Sequence, residues 1–83
     1  MKHKFAKITD VPKDFTGCCW VDWVEQLRFY RNGVLHRLDG PAISHFMFAS
    51  YYIHGIQHDQ KDYEREPLVT ERRLLTIMEY DET

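Results

Sequence analysis

The sequence predicts an α+β domain: an antiparallel β-meander of five to six short strands over residues 4–58, with one C-terminal helix over residues 67–80 packed on a face. Three observations predict it. Asn32-Gly33 lies between runs rich in aromatic and β-branched residues, and Asn-Gly best tolerates the two positive φ angles of a type I′ hairpin turn. The residues around this turn recur 22 positions later: Tyr30 with Tyr52, Gly33 with Gly55, His36 with His58, and in kind Phe29 with Tyr51 and Val34 with Ile56. Agreement centred on a turn glycine argues for a duplicated hairpin. After Pro67, Leu68, Leu75 and Met78 share one helical face, widened by Leu74 and Ile77.

Each element follows in order. "KFAKI", residues 4–8, reads as a first strand, and "TDVPKDFTG", residues 9–17, as a loop of turn formers. "CCWVDWV", residues 18–24, and "LRFYR", residues 27–31, suit strands, with a bend at Glu25-Gln26. "VLHR" returns from the Asn32-Gly33 turn, and Asp39-Gly40-Pro41 reverses the chain again. "AISHFMF", residues 42–48, and "SYYI", residues 50–53, are strand-like. His54-Gly55 repeats the tight turn, and "IQH" is its return strand. "HDQKDYERE", residues 58–66, is a linker or one irregular helical turn, because Pro67 disfavours helix at Glu66. Pro67 itself suits the first helical position, where its missing N–H costs nothing.

With 83 residues the chain forms a single domain, 1–83, with a modest core. Hydrophobic residues at 43% and aromatics at 14% set it apart from disordered tails. A formal charge of −2 lacks the basic footprint of a general nucleic-acid binder. Adjacent Cys18 and Cys19 point to opposite faces of a strand and should not bridge. Two reduced thiols suit a cytoplasmic protein. The N-terminal stretch has no apolar core of signal-peptide length, and no apolar run is long enough to span a membrane.

The five histidines invite a metal hypothesis, yet only His54 and His58 have i, i+4 spacing, and they straddle a turn. No metal or other cofactor is expected. An acid–base reading would use His36 with Asp39, and Arg37 to hold a phosphate, in a small hydrolase or nuclease. No nucleophile sits beside them. A structural reading is more economical, since His36 and His58 both follow a turn glycine by three residues. On that reading the ring of each stacks on an aromatic of the preceding strand, and Arg37 pairs with Asp39.

The aromatics suggest a binding surface. Alternation along residues 42–48 puts Ala42, Phe46 and Phe48 on one face, and Ile43 and Met47 on the other. One helix covers one face, so the other is exposed, meets another chain, or is wrapped by loops. The residues expected to contact a partner are Trp20, Trp23, Arg28, Tyr30, Arg31 and Tyr52, the aromatic and arginine chemistry of interface hot spots. "RFYR" could also stack single-stranded bases, but the acidic balance argues against it.

"YRNGVLHRLDGPA" followed by "YYIHGIQH" resembles the repeat Y-x-N-G-x-x-H-R-x-D-G-P-A … W-Y-x-N-G-x-x-H of many small proteins of tailed bacteriophages and bacteria. The repeat is distantly similar to MORN-type β-hairpin repeats, including the YwqK-like antitoxin group. The match covers residues 28–59, and "DFTG" at 14–17 resembles a degenerate start of a preceding copy. Asn32, Gly33, His36, Arg37, Asp39, Gly40, Pro41 and Ala42 stand where the pattern puts them, and Gly55 and His58 repeat two of them. The second copy departs from the pattern with His54 for Asn and Asp59 for Arg. The resemblance implies an antiparallel β module with a helical tail and gives no catalytic residues to carry over. It implies a non-enzymatic binder of a host or defence-system protein, such as an inhibitor of CRISPR or a toxin, acting in the host cytoplasm. A homodimer is an open alternative.

Overall fold

The computed structural model describes the backbone of residues 3–81 and the side chains of residues 3–75. Strand β1 (His3–Phe5) is followed by a 3-10 turn at Ile8–Asp10 and then by β2 (Gly17–Val21). A second 3-10 turn, Asp22–Val24, leads into β3 (Gln26–Arg31). Then come β4 (Val34–Leu35), β5 (Ile43–Ser44), β6 (Ala49–Ile53) and β7 (Ile56–His58). Helices α1 (Gln60–Arg65) and α2 (Pro67–Asp81) follow. The result is a small α+β fold with an open, mostly antiparallel sheet and one main helix.

The sheet has seven strands among the described residues, in the order β1-β2-β3-β5-β6-β7 with β4 also on β3. It departs from an even meander of five to six strands in two places. First, β1 lies parallel to β2, with Phe5 beside Val21. Parallel neighbours require a crossover, which residues 6–16 supply. Phe15 in that crossover meets His3, Phe5 and Tyr30 edge-on, at ring separations of 5.0, 5.6 and 6.1 Å. Second, β4 and β5 divide one edge of β3: Tyr30 pairs with Leu35, and Arg28 with Ile43. Between them the Phe29 N–H donates to the Ala42 carbonyl at 2.8 Å, and its carbonyl accepts the His36 N–H at 3.1 Å. β4 and β5 are thus one interrupted strand, from which residues 37–41 loop out.

Both tight turns have two positive φ angles, 50° and 82° at Asn32-Gly33 and 50° and 80° at His54-Gly55, as a type I′ turn requires. Each also docks on the chain before it. The Gly33 N–H donates to the Phe15 carbonyl at 2.9 Å, and the Gly55 N–H to the Leu35 carbonyl at 2.7 Å. Phe15-Thr16 and Leu35-His36 therefore play the same part, one hairpin apart.

Four expected strands end early: 4–8 at Phe5, 34–37 at Leu35, and the apolar runs 18–24 and 42–48 at Val21 and Ser44. Residues 22–24 leave the sheet as a 3-10 turn. Residues 45–48 form a tight reversal, in which His45 and Phe48 exchange backbone hydrogen bonds at 3.0 and 3.3 Å. Three consecutive large apolar residues cannot all face one side of a strand, and here they cap a hairpin.

Glu66 is extended (φ −63°, ψ 130°) ahead of Pro67, which opens α2. Ile53, Tyr63 and Val69 form a buried cluster, flanked by Leu38 and Tyr51. The helix does not lie across the sheet on its expected stripe. Leu68, Leu74 and Leu75 are 42%, 56% and 51% exposed, whereas Val69 is fully buried. Tyr63 of α1 occupies the space over β6, and among the described side chains of α2 the first turn alone, through Val69, enters the core cluster. Met78 and Ile77 lie outside the described side chains. No described helix is long and apolar enough to cross a membrane.

Candidate interaction surface

The excursion between β4 and β5 carries most of the repeat residues and is tied down at each of them. Arg37 places its guanidinium 3.9 Å from the Phe29 ring centroid, donates from Nε to Asp39 Oδ1 at 2.8 Å, and from Nη1 to the Pro41 carbonyl at 3.2 Å. Burial pushes the Asp39 carboxyl up, but the hydrogen bond and charge of Arg37 outweigh it and leave the group below its ordinary value. The Tyr63 hydroxyl reaches into the excursion. It donates toward the Arg37 and Gly40 carbonyls at 2.6 and 2.8 Å and accepts the Gly40 N–H at 3.2 Å. Burial raises the Tyr63 pKa, which keeps the hydroxyl a donor.

His36 is equally committed. Its Nδ1 accepts the His54 N–H at 2.9 Å, and its ring lies 4.5 Å from that of His54 rather than on an aromatic of the preceding strand. Burial, then the charges of His54 and Arg31, hold its pKa below the ordinary histidine value. In the first turn Thr16 Oγ1 plays the same part, accepting the Asn32 N–H at 2.8 Å. His58 differs: Nδ1 is 2.9 Å from the Ile56 carbonyl and Nε2 is 3.6 Å from Glu66. The two repeat histidines match in sequence and not in contacts.

The sheet separates the residues expected to bind a partner. Register pairs Trp20 with Leu27 and Cys19 with Arg28, so these pairs lie on opposite faces. Arg28 and Tyr30 share the face of Cys19, Val21 and Ile43, which are buried. Arg28 itself is 9% exposed, with Nε and Nη1 lacking hydrogen-bond partners and its guanidinium 5.7 Å from the Tyr30 ring centroid. On this face burial raises the Cys19 and Tyr30 pKa values, and Arg28 offsets part of each rise. Tyr52 is half-buried, and Arg31 is exposed at the end of β3. Trp23 stands 70% exposed on the second 3-10 turn, with Lys7 Nζ 4.3 Å from its ring centroid.

The opposite face is covered beside β6 by Tyr63 and open beside β2 and β5. There Trp20, Glu25, Leu27, Ser44, His45 and Phe46 line a groove of about 510 Å³. Trp20 is held by a 2.6 Å hydrogen bond from its indole N–H to Asp22. The β5–β6 turn rises at the groove's edge, with Phe46, Met47 and Phe48 81%, 76% and 47% exposed. His45 caps this turn: its Nδ1 accepts the Met47 N–H at 3.2 Å, and its ring stacks on that of Phe48 at 4.8 Å and lies tilted 4.4 Å from that of Phe46. Of the groove residues, the sequence reading singled out Trp20 alone for binding. A second groove, of about 220 Å³, lies between Leu38 and the Leu68–Leu75 side of α2.

Among the described residues no three histidine, cysteine or acidic side chains gather as a metal site, and both cysteines are free. No family model, curated protein or solved structure matches the chain.

Proposed function

We propose that this chain is a small non-enzymatic protein-binding module whose docking surface is the Trp20–Leu27 groove with the Phe46-Met47 turn beside it. The observation that carries the reading is the exposure of Phe46 and Met47 at the tip of a tight turn, 81% and 76%. Turn tips ordinarily carry Gly, Asn, Asp, Pro or Ser, and a contiguous apolar patch in water marks an interaction site. Burying each side chain against a partner would contribute about 1.5–3 kcal/mol. The resemblance to the phage and bacterial repeat proteins gives a host or defence-system protein as the class of partner, and inhibition as the outcome.

The rival reading, a small hydrolase or nuclease using His36 and Asp39, has less support. Both side chains are engaged by the scaffold, His36 with the His54 N–H and Asp39 with Arg37. The test is affinity capture from bacterial lysate with the wild-type chain and with Phe46→Asp/Met47→Asp, the two first matched for melting temperature. A protein retained by the wild type and lost by the double variant is expected. Equal capture by both would remove this surface from the function.

A further inference from the structure

We infer that the groove takes an arginine side chain of the partner polypeptide, seated between the rings of Trp20 and Phe46 and paired with the Glu25 carboxylate. The inference rests on the docking reading above and names its chemistry. Five features lead to it. Among the described residues that line the groove, Glu25 alone is an acid or a strong base. Its carboxylate makes no hydrogen bond or ion pair among the described residues. Its backbone is left-handed, φ 52° and ψ 48°, a conformation that glycine or asparagine adopts with less strain. Two aromatic rings, Trp20 and Phe46, line the groove, and the first is fixed by its indole bond to Asp22. Leu27, between Trp20 and Ser44 in the sheet, offers an apolar surface of the kind that the methylene stem of a long cationic side chain covers.

A cation answers the free carboxylate, the aromatic rings and the apolar surface at once. Aromatic faces attract cations, and a neighbouring carboxylate supplies the counter-charge. Arginine suits the groove better than lysine: its planar, weakly hydrated guanidinium stacks on rings and donates a fork of two N–H groups to one carboxylate. The alternative of an anionic membrane under the Phe46-Met47 turn is disfavoured by the Glu25 carboxylate in the adjoining groove.

The test is selection of a random dodecapeptide display library on the full chain, followed by affinity measurement on the synthesised winners. Peptides carrying arginine beside aliphatic or aromatic residues are expected. Replacing that arginine by citrulline, which has nearly the same shape and no charge, should weaken binding tenfold or more, and Glu25→Gln should do the same. Glu25→Gly should melt higher than the wild type while losing the same affinity, a combination that a purely structural role would not produce. Winners without a basic residue, sensitive to Phe46→Asp but not to Glu25→Gln, would overturn the arginine and leave the docking surface standing. Lysine peptides binding equally well would also overturn it. Winners indifferent to Phe46→Asp, or a library that yields none, would overturn both readings. So would tight association with phosphatidylglycerol vesicles that Glu25→Gln strengthens.

Discussion

At Asn32-Gly33 and at His54-Gly55 the backbone passes through nearly the same angles, and in each the two turn N–H groups are received by the preceding chain. The neighbours differ. Gly33 lies against the backbone of Lys13, so that a Cβ would fall on its carbonyl oxygen. Gly55 faces the Val34 side chain, and a Cβ would sit 3.4 Å from Val34 Cβ. The acceptors differ too, a threonine hydroxyl in the first turn and a titratable imidazole in the second. A repeated turn sets its own dihedrals, while its tolerance and pH dependence come from whatever it docks on.

Four predictions break or sharpen this comparison. The largest effect is expected for Gly33→Ala, which adds a backbone clash to a left-handed φ and should cost about 3 kcal/mol or more, or abolish cooperative folding. Gly55→Ala meets only ordinary van der Waals contact and should cost about 1–2 kcal/mol, the left-handed strain alone. Urea denaturation of both variants measures the difference, and equal losses would erase the distinction between the turns.

The third prediction concerns pH. His36 is held below its ordinary value of 6.5, so between its folded value and 6.5 the unfolded chain binds more protons than the folded one. Its contribution to stability is complete above pH 6.5 and is lost as pH falls through the depressed folded value. His36→Asn keeps an acceptor near the Nδ1 position and should flatten that part of the profile. Thr16→Val should lower stability by about 1 kcal/mol at every pH in the same window. An unchanged slope in His36→Asn would place the titration elsewhere.

The smallest effect is expected at His54, which holds φ 50° without a glycine or asparagine. His54→Asn relieves that strain, loses a ring contact, and should change stability by about 0.5 kcal/mol or less, on the stabilising side. It also removes one of the charges that lower the His36 pKa, so NMR titration of His36 should move back toward 6.5. A further drop would contradict the assignment.

The elements most legible in the sequence are those with local causes. Asn32-Gly33 announces its turn through φ preference, and Pro67 marks both the break at Glu66 and the start of α2. His54-Gly55 lacks so strong a dipeptide signal and is readable mainly through the 22-residue recurrence. The β5–β6 turn had no signal of this kind, because Phe46-Met47 contains no turn former and the side chain that caps it is an imidazole. Tyr63 lay in a stretch readable only as linker or irregular turn. Its role needs the Arg37–Gly40 excursion, 23 residues or more away in sequence.

The candidate surface was legible in part for the same reason. Trp20 stood out by type, while Glu25, Leu27 and Phe46 became a site only when β2, β3 and β5 were laid side by side. Composition, local dihedral preference and the 22-residue recurrence determined that the chain is a small α+β domain, where two of its hairpins turn, and where its long helix begins. Tertiary structure decided which sheet face is covered. That depends on the 6–16 crossover bringing Phe15 against Tyr30, and on α1 placing Tyr63 over β6. Both are long-range packing choices, and neither period-two nor period-3.6 patterning encodes them.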